Sequence, residues 1–388
     1  MSVISLSRIY ENIIGRIEKF TATRNWRIIS VLALTFLSLC FASPQFSGYE
    51  KTFKEVKGWQ AFNQQKEHPF TPLDFNGASN AAKRTFRLTV PLLAYVLHLN
   101  DYAILVIEWL VNILFLYFSI LLIERITNDR TLALLGTIGL TFIYNGHAGF
   151  TDNNAWFDIV AYLFLLLAML YSNVLLIFTF TFLASWTDER AVFTSQLIFL
   201  WWKFNEVKTT DFSFASFFRV EKKSSAVLLA VLFYALGRYL LYEYFNLHTS
   251  NKNIGLEVLM NATDAMGLGL WSALEGFWLL LILCFIHLLK QRKYAVVLSM
   301  GAMMVVIMLI AYSVEDITKS AGYMFPVIFI SVAILFEKNS INDLRKLLLL
   351  CAGVCFIFPS YYYASHDHIA VWYKPVFIKA LDILQVHL

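Results

Sequence analysis

The chain has 388 residues, of which 59% are hydrophobic and 15% charged, and its mean hydropathy is +0.61. Soluble domains run nearer about 45–50% apolar and about 25% charged, so the composition excludes an ordinary water-soluble enzyme and points to lipid as the solvent for most of the chain. The net charge of +4 is carried mainly beside apolar blocks, and no basic run with interleaved aromatics suggests nucleic-acid binding.

Residues 1–27 carry Arg8, Arg16, Lys19, Arg24 and Arg27, with Ile9, Ile13, Ile17 and Phe20 recurring at helical spacing. This pattern predicts an amphipathic helix on the cytoplasmic membrane surface. The first apolar block, 28–43, ends in Phe-Ala-Ser-Pro, but the segment before it is too long for a signal peptide, and the block reads as an uncleaved span. Further spans are expected near 103–123, 132–146, 157–171, 174–187, 190–203, 225–242, 270–289, 294–312, 320–337 and 346–363. The expected fold is therefore an all-α polytopic membrane protein with about eleven transmembrane helices. Residues 28–363 form the transmembrane domain, and 364–388 an extracytoplasmic tail.

The stretch 174–203 can be read as two short spans or one long tilted helix. The basic clusters decide, because Lys and Arg favour the cytoplasmic side. Two spans place Arg125/Arg130, Lys203/Lys208/Arg219/Lys222/Lys223, Lys290/Arg292/Lys293 and Lys338/Arg345/Lys346 on the N-terminal side. One helix would split them. The N-terminus is then cytoplasmic, in a multi-pass protein of the bacterial plasma membrane. The outer loop 44–102 departs from the charge rule with seven basic residues, which long translocated loops tolerate. Solvated surface and phosphate binding both account for them.

This topology gathers ionisable residues of both signs at the outer face. Asp152 and Asp158 stand in Phe-Thr-Asp-Asn-Asn-Ala-Trp-Phe-Asp, Asp188, Glu189 and Arg190 in Trp-Thr-Asp-Glu-Arg, and Glu315, Asp316 and Lys319 in Val-Glu-Asp-Ile-Thr-Lys-Ser. Charges near membrane depth are costly and tend to face a protein interior or a water-filled cavity. In the first outer loop, Lys83 and Arg87 would share a helix face, with Arg84 offset. Pro91 opens a stretch, 88–99, too short to span, which reads as an interfacial helix. Arg presents a donor fork suited to phosphate oxygens, so this cluster suits a lipid phosphate, although anchoring to anionic headgroups uses the same residues.

The layout, a long outer loop with interfacial helices, the segment Lys-Arg-Thr-Phe-Arg-Leu-Thr-Val-Pro-Leu-Leu-Ala and the motif Leu-Ala-Ser-Trp-Thr-Asp-Glu-Arg-Ala, resembles the GT-C superfamily of membrane glycosyltransferases. The likeness covers about the first 200 residues. It implies a polyprenyl-phosphate-linked sugar as donor, a glycan or lipid-linked acceptor and an acidic general base soon after the first span; Glu50 is the nearest acid there, with Asp74 later. The outer face offers Asp152 or Glu50 as the base, and Lys83, Arg84, Arg87, Asp158, Asp188, Glu189, Arg190, Asp316 and Lys319 as substrate-binding groups.

No cofactor or metal is expected. Cys40, Cys284, Cys351 and Cys355 all lie in apolar stretches with neither a disulfide framework nor a zinc spacing, and His366-Asp367-His368 reads as a solvated tail. Two other classes compete. A lipid-linked polysaccharide polymerase or ligase would also carry basic outer loops, but 243–269 holds only Lys252 as a basic residue. A lipid or glycan transporter would show internal repeats and charges at the midplane.

Overall fold

The computed structural model describes residues 3–42, 53–73, 83–152, 154–207, 212–249, 254–261, 266–314, 316–337, 339–358, 361–365 and 368–371. Glu50, Asp74, Glu315, Lys252, His366 and Asp367 lie outside the described residues. Among the described residues the architecture is helical, apart from a short antiparallel hairpin of β1 (Tyr361–Ser365) and β2 (His368–Val371). Among the described residues, four helices are long and apolar enough to cross a membrane, Asp101–Thr127, Lys222–Phe245, Tyr294–Tyr312 and the interrupted Ile317–Phe336; a bent pair makes a fifth. Shorter apolar helices pack among them.

The helices run in chain order: α1 (Val3–Thr21), α2 (Trp26–Ala42), α3 (Lys57–Glu67), α4 (Thr89–Val96), α5 (Asp101–Thr127), α6 (Arg130–Phe142), α7 (Tyr144–Thr151), α8 (Asp158–Leu170), α9 (Val174–Thr187) and α10 (Arg190–Val207). There follow α11 (Lys222–Phe245), α12 (Leu256–Asn261), α13 (Met266–Leu274), α14 (Phe277–Lys290), α15 (Tyr294–Tyr312), α16 (Ile317–Gly322), α17 (Pro326–Phe336) and α18 (Ile341–Ile357). Local chemistry sets several starts. The side chains of Asn100, Asp129, Asn173 and Ser340 accept from the first free amides of α5, α6, α9 and α18. Asn128 closes α5 in the left-handed conformation at φ 48°.

The direction of each helix follows from which residues meet. Arg190 at the head of α10 reaches Asp158 at the head of α8, while Trp201 and Trp202 near its end donate to the Met169 and Ala168 carbonyls at the end of α8. Thus α8 and α10 are parallel, and α9 runs back between them. The 174–203 stretch is two antiparallel helices, with the turn at Asp188 and Glu189. In α11, Lys223 sits over Trp202 and Tyr234 against Trp186, so this helix returns alongside α9.

One end of the bundle is tied by ion pairs among basic-cluster residues. Arg27 forms a bidentate pair with Glu124 at 2.8 Å, and Arg345 contacts Asp129 and Glu18, each at 2.6 Å. Helix α1 is held there through Glu18 and the Arg130–Thr21 hydrogen bond; it buries Ile14 and exposes Ile9 and Ile13.

Three expected spans are interrupted. The 132–146 stretch breaks at Ile143 between α6 and α7. The 270–289 stretch bends by 87° between α13 and α14, where Glu275 takes φ 46°. A Cβ on Gly276 would lie 2.3 Å from the Cys351 carbonyl, so glycine lets this bend touch α18. The 320–337 stretch divides into α16 and α17. Hydropathy averages over such breaks, because the flanking residues are equally apolar.

Candidate functional site

The end opposite the Arg27–Glu124 pair holds the charged residues singled out in the sequence. Helices α8 and α9, with 13 and 14 residues, rise only ~20 Å each, against the ~30 Å of a hydrocarbon core. Their junctions with neighbouring segments therefore lie inside the ends of the longer helices, and the Asp158, Asp188 and Arg190 side chains there are buried.

Arg190 organises this junction. Its Nη2 lies 2.5 Å from Asp158 Oδ1 and 2.7 Å from Asp188 Oδ2, its Nε donates to Asp188 Oδ1 at 2.7 Å, and its Nη1 donates to Ser320 Oγ at 3.0 Å. Tyr144 donates to the other Asp158 oxygen at 2.9 Å, and Tyr323 lies beneath the guanidinium. Arg87 then pairs with Asp188 at 2.7 Å and forms a fork with both oxygens of Glu189 at 3.0 and 3.1 Å. Burial alone would push the Asp188 carboxyl up, but the Arg190 and Arg87 guanidiniums hold it down at about 2. Burial likewise works against the Arg87 charge, and Asp188 with Glu189 more than offsets it, so Arg87 sits above its ordinary value.

Arg84 points the other way, into the wall. Residues 83–84 form a 3-10 turn and not an α-helical face, yet Lys83 and Arg87 still reach one cavity while Arg84 turns inward. Arg84 Nη1 donates to the Gly58 and Ala155 carbonyls at 3.0 Å, and Nη2 to Asn154 at 2.6 Å. Among the described residues it makes no ion pair. Burial, and then the Arg87 charge, pull its guanidinium down to about 10, which leaves it charged at neutral pH. Gln65 pins this segment by donating to the Arg84 and Thr85 carbonyls.

Trp156 stands at the centre of these cations. Its ring lies 3.9 Å from the Arg84 guanidinium carbon, 5.3 Å from that of Arg87 and 5.1 Å from Lys319 Nζ. Three cations share one indole, whose face is the attractive one. Trp156 also lines a cavity of about 300 Å³ walled by Lys83, Arg87, Glu189, Arg190, Asp316 and Ser320. Its remaining wall is Phe193, Ile254, Ile310, Ser313 and Val314, of which Phe193 and Ile254 are exposed. The rim is fixed by the Gly255 amide donating to the Ser313 carbonyl at 2.9 Å. The cavity lining thus combines ionic groups with aliphatic and aromatic carbon.

Asp152 is placed differently from the rest. Its Oδ1 accepts from the Asn154 amide at 2.8 Å, and its Oδ2 from those of Trp156 and Phe157 at 2.6 and 2.9 Å. It shapes the turn that presents Trp156 and does not line the 300 Å³ cavity. Among the described carboxylates, Asp316 and Glu189 line it. His147 directs Nδ1 to the Thr141 carbonyl at 3.4 Å, as a wall residue. Among the described residues no group of three His, Cys, Asp or Glu is arranged to hold a metal ion.

Sequence reasoning passed over Trp156, Tyr144, Tyr323 and Glu108. The aromatic residues gave no signal beyond the many others in the chain. Glu108 did give one, as the acid in the apolar middle of α5, between Asp101 and Glu124 near its ends. No protein-family model, curated protein or solved structure matches the chain.

Proposed function

We propose that the chain is a membrane-embedded glycosyltransferase of GT-C type that moves a sugar from a polyprenyl-phosphate donor to a glycan or lipid-linked acceptor. The observation that carries this reading is the cavity lined by Lys83, Arg87, Arg190 and Trp156 together with Phe193, Ile254 and Ile310. A phosphate on a hydrocarbon chain satisfies both kinds of lining at once. In this reading eleven helical segments cross the bacterial plasma membrane, with the N-terminus cytoplasmic and the cavity extracytoplasmic. The alternating helix directions and the basic residues gathered at the opposite end support it.

The chemistry needs one base and a stabilised leaving group. Asp316, on the cavity wall, takes the proton of the acceptor hydroxyl; the freed oxygen pair bonds to the anomeric carbon, and the carbon–oxygen bond to phosphate breaks. The bond electrons leave on the phosphate, whose charge is met by Lys83 and Arg87. Arg190 is committed to Asp158 and Asp188 and keeps the cavity floor in place. The charges cluster at one end and not at the bundle middle, which favours an enzyme over an alternating-access transporter.

The test is incubation of the purified protein in lipid nanodiscs with a polyprenyl-phosphate sugar. Release of polyprenyl monophosphate, lost in Asp316→Asn and Lys83→Ala, is the expected result. Release only from pyrophosphate-linked glycans would assign the chain to the polymerases or ligases. No release from either, with no binding of polyprenyl phosphate, would overturn the proposal.

A further inference from the structure

The end of the bundle where Arg345 meets Asp129, opposite the charged cavity, carries a second cavity of about 240 Å³ between α14, the end of α17 and the start of α18. Leu283, Ile286, Leu335, Leu344 and Leu347 form its apolar part, and His287, Lys290, Asn339 and Asp343 its polar part. The two parts are ordered along the helices. On α14, Lys290 stands two turns, ~10 Å, nearer the helix end than Leu283. On α17, Leu335 comes before the end and Asn339 just after it. On α18, Asp343 stands in the first turn and Leu347 one turn, ~6 Å, further in. All three segments put polar groups outermost and aliphatic carbon deeper, which is the polarity of a lipid standing in its own leaflet. Leu283 and Ile286 are exposed and continue through Leu279 and Ile282 as one apolar face of α14, a path for an acyl chain.

The polar part offers one cation and one anion. Among the described residues Lys290 has no hydrogen-bond or ion-pair partner. Asp343 accepts from the Ser340 hydroxyl on Oδ2 at 2.7 Å, while its Oδ1 lies 4.0 Å from Lys346 and its side chain is 69% exposed. The other two polar groups are engaged locally: Gln291 meets His287 Nε2 at 2.7 Å, and Asn339 donates its side-chain amide to the Leu335 carbonyl at 2.7 Å. We propose that this groove binds a glycerophospholipid with a primary-amine head, its phosphate on Lys290, its ammonium on Asp343 and its first acyl carbons against Leu283, Ile286 and Leu347. Charge complementarity selects this occupant. A purely anionic head would set its charge against Asp343, and a quaternary amine has no N–H to donate to that carboxylate. The groove lies at the other end of the bundle from the 300 Å³ cavity, and its ligand does not depend on the transferase reading.

The test is native mass spectrometry of the full-length protein released from detergent and titrated with dioleoyl phosphatidylethanolamine, phosphatidylglycerol or phosphatidylcholine. Phosphatidylethanolamine is expected to bind most tightly of the three. Lys290→Gln is expected to weaken that binding about tenfold, through the loss of one charge-assisted hydrogen bond. Asp343→Asn, which still accepts from Ser340, is expected to abolish the preference for phosphatidylethanolamine over phosphatidylglycerol while lipid still binds. Both side chains are exposed, so neither substitution removes a core contact. A wild-type preference for phosphatidylglycerol or phosphatidylcholine would overturn the proposal, as would lipid binding that neither substitution changes.

Discussion

Arg84 lies against the face of Trp156, its guanidinium carbon 3.9 Å from the ring centroid, while its nitrogens are spent on three backbone carbonyls. A buried cation whose donors are taken by backbone carbonyls holds the turn that presents Trp156 to the cavity. Arg84→Lys keeps the charge but cannot serve three carbonyls and stack at once. It is expected to cost about 1–3 kcal/mol from the carbonyls left unserved, and Trp156→Ala about 2 kcal/mol from the lost cation–π contacts. Thermal unfolding in detergent measures both. Polyprenyl-phosphate binding should fall in each, and Trp156→Phe should retain part of it.

The Arg190–Asp158 pair is buried, with the two groups 2.5 Å apart. Breaking a buried pair by removing one partner leaves a desolvated charge and costs about 3 kcal/mol or more. Asp158→Asn should lie at the low end, because Asp188 still meets Arg190. In an Arg190→Met background the same substitution should cost clearly less. Additive effects in this double-mutant cycle would show that the two residues are not coupled.

Acid should unfold the site in a defined window. Asp188 is held at about 2 in the folded protein, below the ordinary carboxylate range, so the unfolded chain takes up the proton first. The stabilisation is fully present above about pH 4 and is lost as pH falls toward 2. Asp188→Asn should be less stable than wild type at neutral pH, with the difference narrowing through that window. Acid titrations followed by circular dichroism would show it, and a constant difference would argue against the assignment.

Two glycines make opposite predictions. A Cβ on Gly58 would lie 2.1 Å from the Asn154 carbonyl oxygen and 2.8 Å from Arg84 Nη2, so Gly58→Ala must displace the turn that carries Trp156. A loss of about 2–3 kcal/mol is expected, together with weaker ligand binding. Gly15, within α1, has nothing within 4 Å of the same position. Gly15→Ala should raise stability by about 0.5–1 kcal/mol through helix propensity alone.

Helix direction can be read by labelling. Gln291, after α14, and Ser313, after α15, stand at opposite ends of one helix. Cysteines placed at each should react with an impermeant maleimide from opposite sides of sealed vesicles, with Ser313→Cys reacting from outside. The native Cys284, Cys351 and Cys355 are buried and should stay silent.

Much of this was legible from the chain. Apolar blocks located the longer helices; 174–187 and 294–312 coincide with α9 and α15, because hydropathy tracks transfer free energy residue by residue. The distribution of Lys and Arg also resolved 174–203 into two helices. The site residues Glu189, Arg190 and Asp316 were nameable as charges in short turns, and Lys83 and Arg87 as a basic cluster in the first outer loop, since burying such charges demands a reason.

What each charge does was decided by tertiary structure. Asp152 and Asp316 are alike as acids in turns between helices, but one is consumed by three backbone amides and the other faces the cavity. Lys83 and Arg84 are adjacent, yet one faces the cavity and the other seals the wall. The breaks at Ile143 and at Glu275–Gly276 were hidden because hydropathy reports which residues prefer lipid and not where the chain bends. The charges collected at one end were visible in the sequence as a set; their division into floor, wall and open cavity depends on contacts between segments as far apart as Arg87 and Glu189, or Arg190 and Ser320. Local residue chemistry determines depth in the membrane, and only packing determines which charges neutralise one another and which face the cavity.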